Sequence, residues 1–131
     1  MARLSFIGNF FIPFIFSFIV SSCTAPGSQL EGTWQLHNSK INQVVEESFI
    51  PLTWSFKENG RFIQIMDLVE GELERGGKFE YDINEGELHL YYDEGSDRHI
   101  IWVVVHLDEQ KMQVEYTGYG FFVEREFRKL P

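Results

Sequence analysis

A single cysteine, Cys23, is all the thiol in this 131-residue chain, so no internal disulfide can form and the fold must stand on packing and hydrogen bonds. Basic residues are scarce: 11 Lys and Arg face 20 Asp and Glu. That balance excludes the basic patch that phosphate contacts require, and with it nucleic acid as a partner. There is no Gly-x-Ser-x-Gly, and the four histidines, His37, His89, His99 and His106, show no His-x-x-x-His spacing. The sequence therefore predicts no enzyme, no cofactor and no histidine metal site. No repeat recurs at solenoid or propeller periods, and no second linker divides the chain.

What is present begins at the N-terminus. Met1-Ala2-Arg3 gives a basic start, and Leu4 to Val20 follows as an apolar run broken by Gly8, Asn9, Pro13 and two serines. The run ends Val20-Ser21-Ser22-Cys23, which resembles a bacterial lipobox: an aliphatic residue, two small residues, then a cysteine that receives lipid and becomes the new N-terminus. On this reading residues 1–22 are a lipoprotein signal peptide. The rival is an uncleaved single-pass anchor, which Pro13 and the lack of a basic stop-transfer cluster disfavour. A chance cysteine at the end of an apolar run is the plainer alternative, yet an exported lone thiol without a partner is itself unusual.

The resemblance implies acyl chains, palmitate among them, on Cys23. Charge cannot supply the attachment. With Arg3 left behind, ten basic residues face twenty acidic ones, a net −10 that anionic headgroups repel. Residues 23–29 are the lipidated cysteine and a polar tether. The six residues after the cysteine span about 20 Å when extended, which keeps the following domain close to the bilayer. Thr24 stands where some lipoproteins carry an inner-membrane retention aspartate. The implied location is the bacterial cell envelope, with the outer membrane favoured and the protein facing the periplasm.

Residues 30–131 read as one domain with a single core. Period-2 alternation dominates. Phe79, Tyr81 and Ile83 alternate with Lys78, Glu80 and Asp82; Leu52, Trp54 and Phe56 share a face, as do Leu88, Leu90 and Tyr92, and Met112, Val114 and Tyr116. Turn chemistry separates the runs: Asn59-Gly60, a three-residue Asn84-Glu85-Gly86 loop, Gly76-Gly77, Glu94-Gly95-Ser96 and Asp108 to Lys111. Strands joined this tightly are antiparallel neighbours. The predicted class is all-β, an up-and-down antiparallel meander of about eight strands closing into a small barrel, which removes the exposed edges.

Here a second resemblance applies. Gly32-Thr33-Trp34 is similar to the Gly-x-Trp signature of the first lipocalin strand. Its order with Phe56-Lys-Glu-Asn-Gly60-Arg-Phe62 and Gly77-Lys-Phe79-Glu-Tyr81 resembles small bacterial lipocalin-like lipoproteins. The resemblance implies that Gly32 and Trp34 are structural, and that a last-strand arginine, Arg125 in preference to Arg128, packs over Trp34. It also implies that the long connection from Asn38 to Pro51 lids one mouth; packing against the outer wall is the alternative. The chain after Arg128 is too short for the C-terminal helix of longer lipocalins.

Candidate chemistry is sparse. A turn at residues 94–97 sets His99 opposite Tyr92 and His89 opposite Trp102, keeping the two histidines apart. Glu70, Glu72 and Glu74 share a face if extended; three carboxylates could attract Ca²⁺, but such a row is more often a solvated face. Aromatics decide more. Trp54, Phe56, Tyr81, Tyr92, Trp102 and Tyr116 are the candidate ligand-binding residues, and Trp34, Phe62 and Phe79 join them on the inward face. They either fill the barrel or line a small pocket near one mouth. Ile100 to Val105 is apolar on both faces of its strand, so one face needs the loop, a partner or the membrane. The expected role is binding of a small apolar molecule or lipid, at an open end near the membrane. The alternative is a non-enzymatic module with a filled barrel that binds an envelope protein partner or serves a structural role.

Overall fold

The computed structural model describes residues 29–94 and 98–131. The signal segment, Cys23, most of the tether and the Gly95–Asp97 turn lie outside them. Nine strands follow in chain order: β1 (Gly32–Ile41), β2 (Val44–Val45), β3 (Leu52–Phe56), β4 (Arg61–Leu68), β5 (Gly71–Asp82), β6 (Glu87–Tyr92), β7 (His99–Leu107), β8 (Lys111–Gly118) and β9 (Phe121–Lys129). All pair antiparallel in the order β2-β1-β3-β4-β5-β6-β7-β8-β9, and β1 also pairs with β9. Eight strands thus close a barrel, with β2 a short addition at the far end of β1.

The up-and-down course sorts the connections into two ends. Gly32, the β3–β4, β5–β6 and β7–β8 turns, and Lys129 gather at one. The β1–β2, β4–β5 and β8–β9 hairpins and the 46–51 segment gather at the other. The first end is plugged. Leu30 and Trp34 are fully buried, and the Trp34 indole N–H donates to the Leu30 carbonyl at 2.8 Å. Above them lie Phe56, Leu88, Leu90, Met112 and Phe127, all 2% exposed or less. Trp54 stacks on Phe127 with centroids 4.4 Å apart. Gly32 holds φ +125°, a region costly for any side chain, with Lys129 crossing where a Cβ would sit.

The cation over Trp34 is Lys129, its Nζ 5.3 Å from the ring, and not Arg125 as the resemblance implied. Register gives the reason. Trp34 pairs with Lys129, whereas Arg125 pairs with Ser39, five residues further along β1, and lies over Trp102 instead.

Other expectations shift for equally local reasons. Gly76-Gly77 is no turn but the middle of β5, which pairs with β4 over residues 71–78 and with β6 over 77–82. A Cβ on Gly77 would stand 1.9 Å from the Tyr91 carbonyl oxygen. Glycine is needed there for close backbone approach. The three-residue loop at Asn84 is four residues long, so Ile83 is exposed in the turn and not on the inward face. At Asn59-Gly60 only Gly60 takes positive φ, and Asn59 instead accepts from the Arg61 N–H. Glu70 sits in the β4–β5 turn, which breaks the row with Glu72 and Glu74. The 38–51 connection is shorter than its sequence suggested. β1 runs on to Ile41 and turns through Asn42 and Gln43, both at positive φ, into β2. Phe49, in that segment, packs against the core and borders a cavity with Leu52 and Met66.

Candidate ligand-binding site

The unplugged end holds the site. Inward positions of β4 read Phe62, Gln64, Met66, and Gln64 breaks the apolar series. Its amide oxygen accepts from the Trp54 indole at 3.0 Å and from the Tyr92 hydroxyl at 2.6 Å. Gln64 pairs in register with Arg75 on β5, so Arg75 shares its inward face. Arg125 reaches the same region from β9, 5.3 Å above the Trp102 ring. A cavity of about 280 Å³ opens here, lined by Trp54, Gln64, Tyr92, Trp102, Tyr116 and Arg125, with Ile100 and Val123 completing the wall. A second of about 260 Å³ adjoins it through Gln64 and Arg125 and continues beneath Phe49 and Ile50.

Three polar atoms in this part of the barrel, Arg75 Nε, Arg125 Nε and Trp102 Nε1, are buried without an acceptor among the described residues. Each such orphan costs about 1–3 kcal/mol. Burial pushes the Tyr92 phenol up to about 12, although the charges of Arg75 and Arg125 pull the other way. The hydroxyl therefore stays a neutral donor at neutral pH. Burial also lowers the Arg125 guanidinium, while Glu46 and Tyr92 act in the opposite sense. Glu46 is tied to Ser39 by a 2.6 Å hydrogen bond and stands outside ion-pair distance of Arg125.

Of the six aromatics expected to bind ligand, Trp54, Tyr92, Trp102 and Tyr116 line one cavity. Phe56 and Tyr81 do not. Phe56 is 2% exposed in the plug, and Tyr81 pairs with Leu88 near the closed end. Gln64 and Arg75 were missed, and Arg125 was given the wrong neighbour. The signal was parity: each is polar at a position whose strand alternation points inward.

The outer wall holds a further surprise. His89 Nδ1 and His99 Nε2 are 2.9 Å apart, and Tyr91 stacks on His99 at 4.2 Å. The expected register was off by one residue. Tyr91, not Tyr92, faces His99, which aligns Leu88 with Trp102 and Leu90 with Ile100 inside. Matching the apolar faces fixes that register and stacks the histidines outside. Among the described residues no three His, Cys, Asp or Glu side chains form a group that could hold a metal ion.

Similarity to known proteins agrees with the barrel. The model of the lipocalin-like domain family matches residues 30–114, more than half of the chain. The chain belongs to that family. A crystal structure of a lipocalin-like protein from Bacteroides uniformis superposes with a TM-score of 0.64 at 19% identity, covering 79% of this chain and all of that one. No curated protein matches the sequence.

Proposed function

We propose that this lipocalin-like protein is a lipid-anchored envelope lipoprotein that binds a small apolar or aromatic molecule without transforming it. The observation that carries the reading is a half-filled barrel. One end is plugged by Trp34 and Phe127, while the other keeps a cavity of about 280 Å³ walled by four aromatics. That volume lies at the small end of ligand pockets. Attachment rests on the lipobox-like Val20 to Cys23. The geometry also bears on orientation. The chain enters the barrel at Leu30, beneath Trp34 at the plugged end, so a tether of about 20 Å favours a mouth turned away from the bilayer, the reverse of the expectation above.

Two measurements test this. Cys23→Ser should abolish incorporation of labelled palmitate and release the protein from membranes. The anchored protein in lipid nanodiscs should bind the neutral dye N-phenyl-1-naphthylamine saturably, after subtraction of empty discs. Non-saturable binding equal to the blank removes the ligand reading.

One observation favours a second reading. Ile101, Val103 and Val105 project from β7 at 38%, 44% and 51% exposure, and neither the 46–51 segment nor another strand covers them. If this stripe docks an envelope protein, in-cell crosslinks to a defined partner should vanish in Ile101→Asp. Trp102 has no part in such a contact, because it points inward and is 6% exposed.

A further inference from the structure

The mouth that the proposed function assigns to an apolar molecule carries charge of its own. The part of the chain after Cys23 has a net charge of −10, yet Arg125 lines the cavity, and Arg75, in register with Gln64, has its Nε buried on the same face of the sheet. Arg75 and Arg125 come from opposite sides, β5 and β9, and both act on the Tyr92 hydroxyl. Neither forms an ion pair with a carboxylate among the described residues, where Arg61 pairs with Asp93 and Arg128 with Glu126. Each also leaves a buried Nε without an acceptor. Cations are costly to bury unless paired, and nothing in the packing of the plug calls for either residue. Both contribute to the open end.

Resting on that reading of the mouth, we infer that the ligand is an amphipathic anion, an aromatic or aliphatic carboxylate whose head sits between Arg75 and Arg125 and whose apolar body lies against Trp54, Trp102 and Tyr116. The head accepts from both guanidinium groups, while the Tyr92 phenol, which stays protonated, donates to Gln64 beside them. A planar guanidinium fork fits a carboxylate better than it fits any neutral acceptor. Glu46, held by Ser39 at the rim of the adjoining cavity, moderates the field at Arg125 and opposes an incoming anion. It weakens binding and so offers an independent test.

Full-length protein in lipid nanodiscs is titrated with 2-naphthoate and with 2-naphthamide, its uncharged isostere, by calorimetry against empty discs. Naphthoate should bind at least about tenfold more tightly, the scale of a hydrogen bond to a charged group. Arg125→Gln and Arg75→Gln should each weaken naphthoate more than naphthamide and so erase most of that preference; Arg125→Lys should restore part of it. Near-ultraviolet circular dichroism of the stacked tryptophans reports whether each variant is folded. Should Arg125→Gln not fold, Glu46→Gln decides the matter, because it keeps both arginines. It should tighten naphthoate several-fold relative to naphthamide. Equal affinity of the two probes, or no response to Glu46→Gln, overturns the anion assignment and leaves the apolar-binding reading standing. Failure of both probes to bind removes the two together.

Discussion

The two ends of this barrel are built from the same alternating strands and come out opposite. At the plugged end large apolar side chains dominate the inward face: Trp34, Phe56, Phe62, Leu88, Met112 and Phe127 are each 2% exposed or less. At the mouth the same strands offer Gln64, Tyr92, Tyr116 and Arg125 around remaining space, with Arg75 on the same face as Gln64. One strand shows the switch. β9 places Phe127 into the plug and, two residues earlier, Arg125 into the cavity. Close packing and open, polar-lined space are thus divided along the barrel axis and not between separate elements.

The sharpest way to break this division is to strike each end in turn. Trp34→Ala removes the plug and should cost about 3–5 kcal/mol of unfolding free energy in denaturant titration, the range for large aromatic truncations in a core. Gly77→Ala comes next. Its methyl meets the Tyr91 carbonyl oxygen, so β5 and β6 must part, at roughly 1–3 kcal/mol, with faster amide exchange along their shared edge. Val123→Trp fills the mouth and should abolish saturable binding of N-phenyl-1-naphthylamine, yet change stability by less than about 1.5 kcal/mol. A larger loss would mean that the mouth is packed core after all.

The smallest effect belongs to the β7–β8 turn. The Asp108 carboxylate accepts from His106 and from the Gln110 and Lys111 N–H groups, which holds it at about 2, below its ordinary 3.8. A depressed folded value stabilises the protein above the unfolded value and loses that contribution as pH falls through the folded one. The melting-temperature gap between wild type and Asp108→Asn should therefore be present at pH 5 and close towards pH 2. Because the group is fully exposed, the gap should be narrow and should shrink further in salt.

The barrel was legible because alternation and turn chemistry are local. Leu52, Trp54 and Phe56 announce one inward face by parity alone, as do Leu88, Leu90 and Tyr92. The misreadings arose where a position answers to a neighbour far away in sequence. Gly76-Gly77 reads as a turn unless one knows that β5 must bend between β4 and β6. Arg125 can be given to Trp34 or Trp102, and only the β1–β9 register, with its irregularity between Leu36 and Asn38, decides. The His89–His99 contact depends on a one-residue choice that matching the inward faces of β6 and β7 would have settled. The site was half legible. Its aromatics stood out, whereas Gln64 and Arg75 looked like ordinary solvated residues until their inward parity was followed.

Closure between the first and last strands has a consequence in time. Trp34 meets Lys129, and Ile41 meets Val123, so the seam joins the two ends of the barrel domain. Contacts of such long sequence separation form slowly. Until the nine residues of β9 pair, β1 and β8 each keep an open edge on that side, and such edges can take up a strand from another chain.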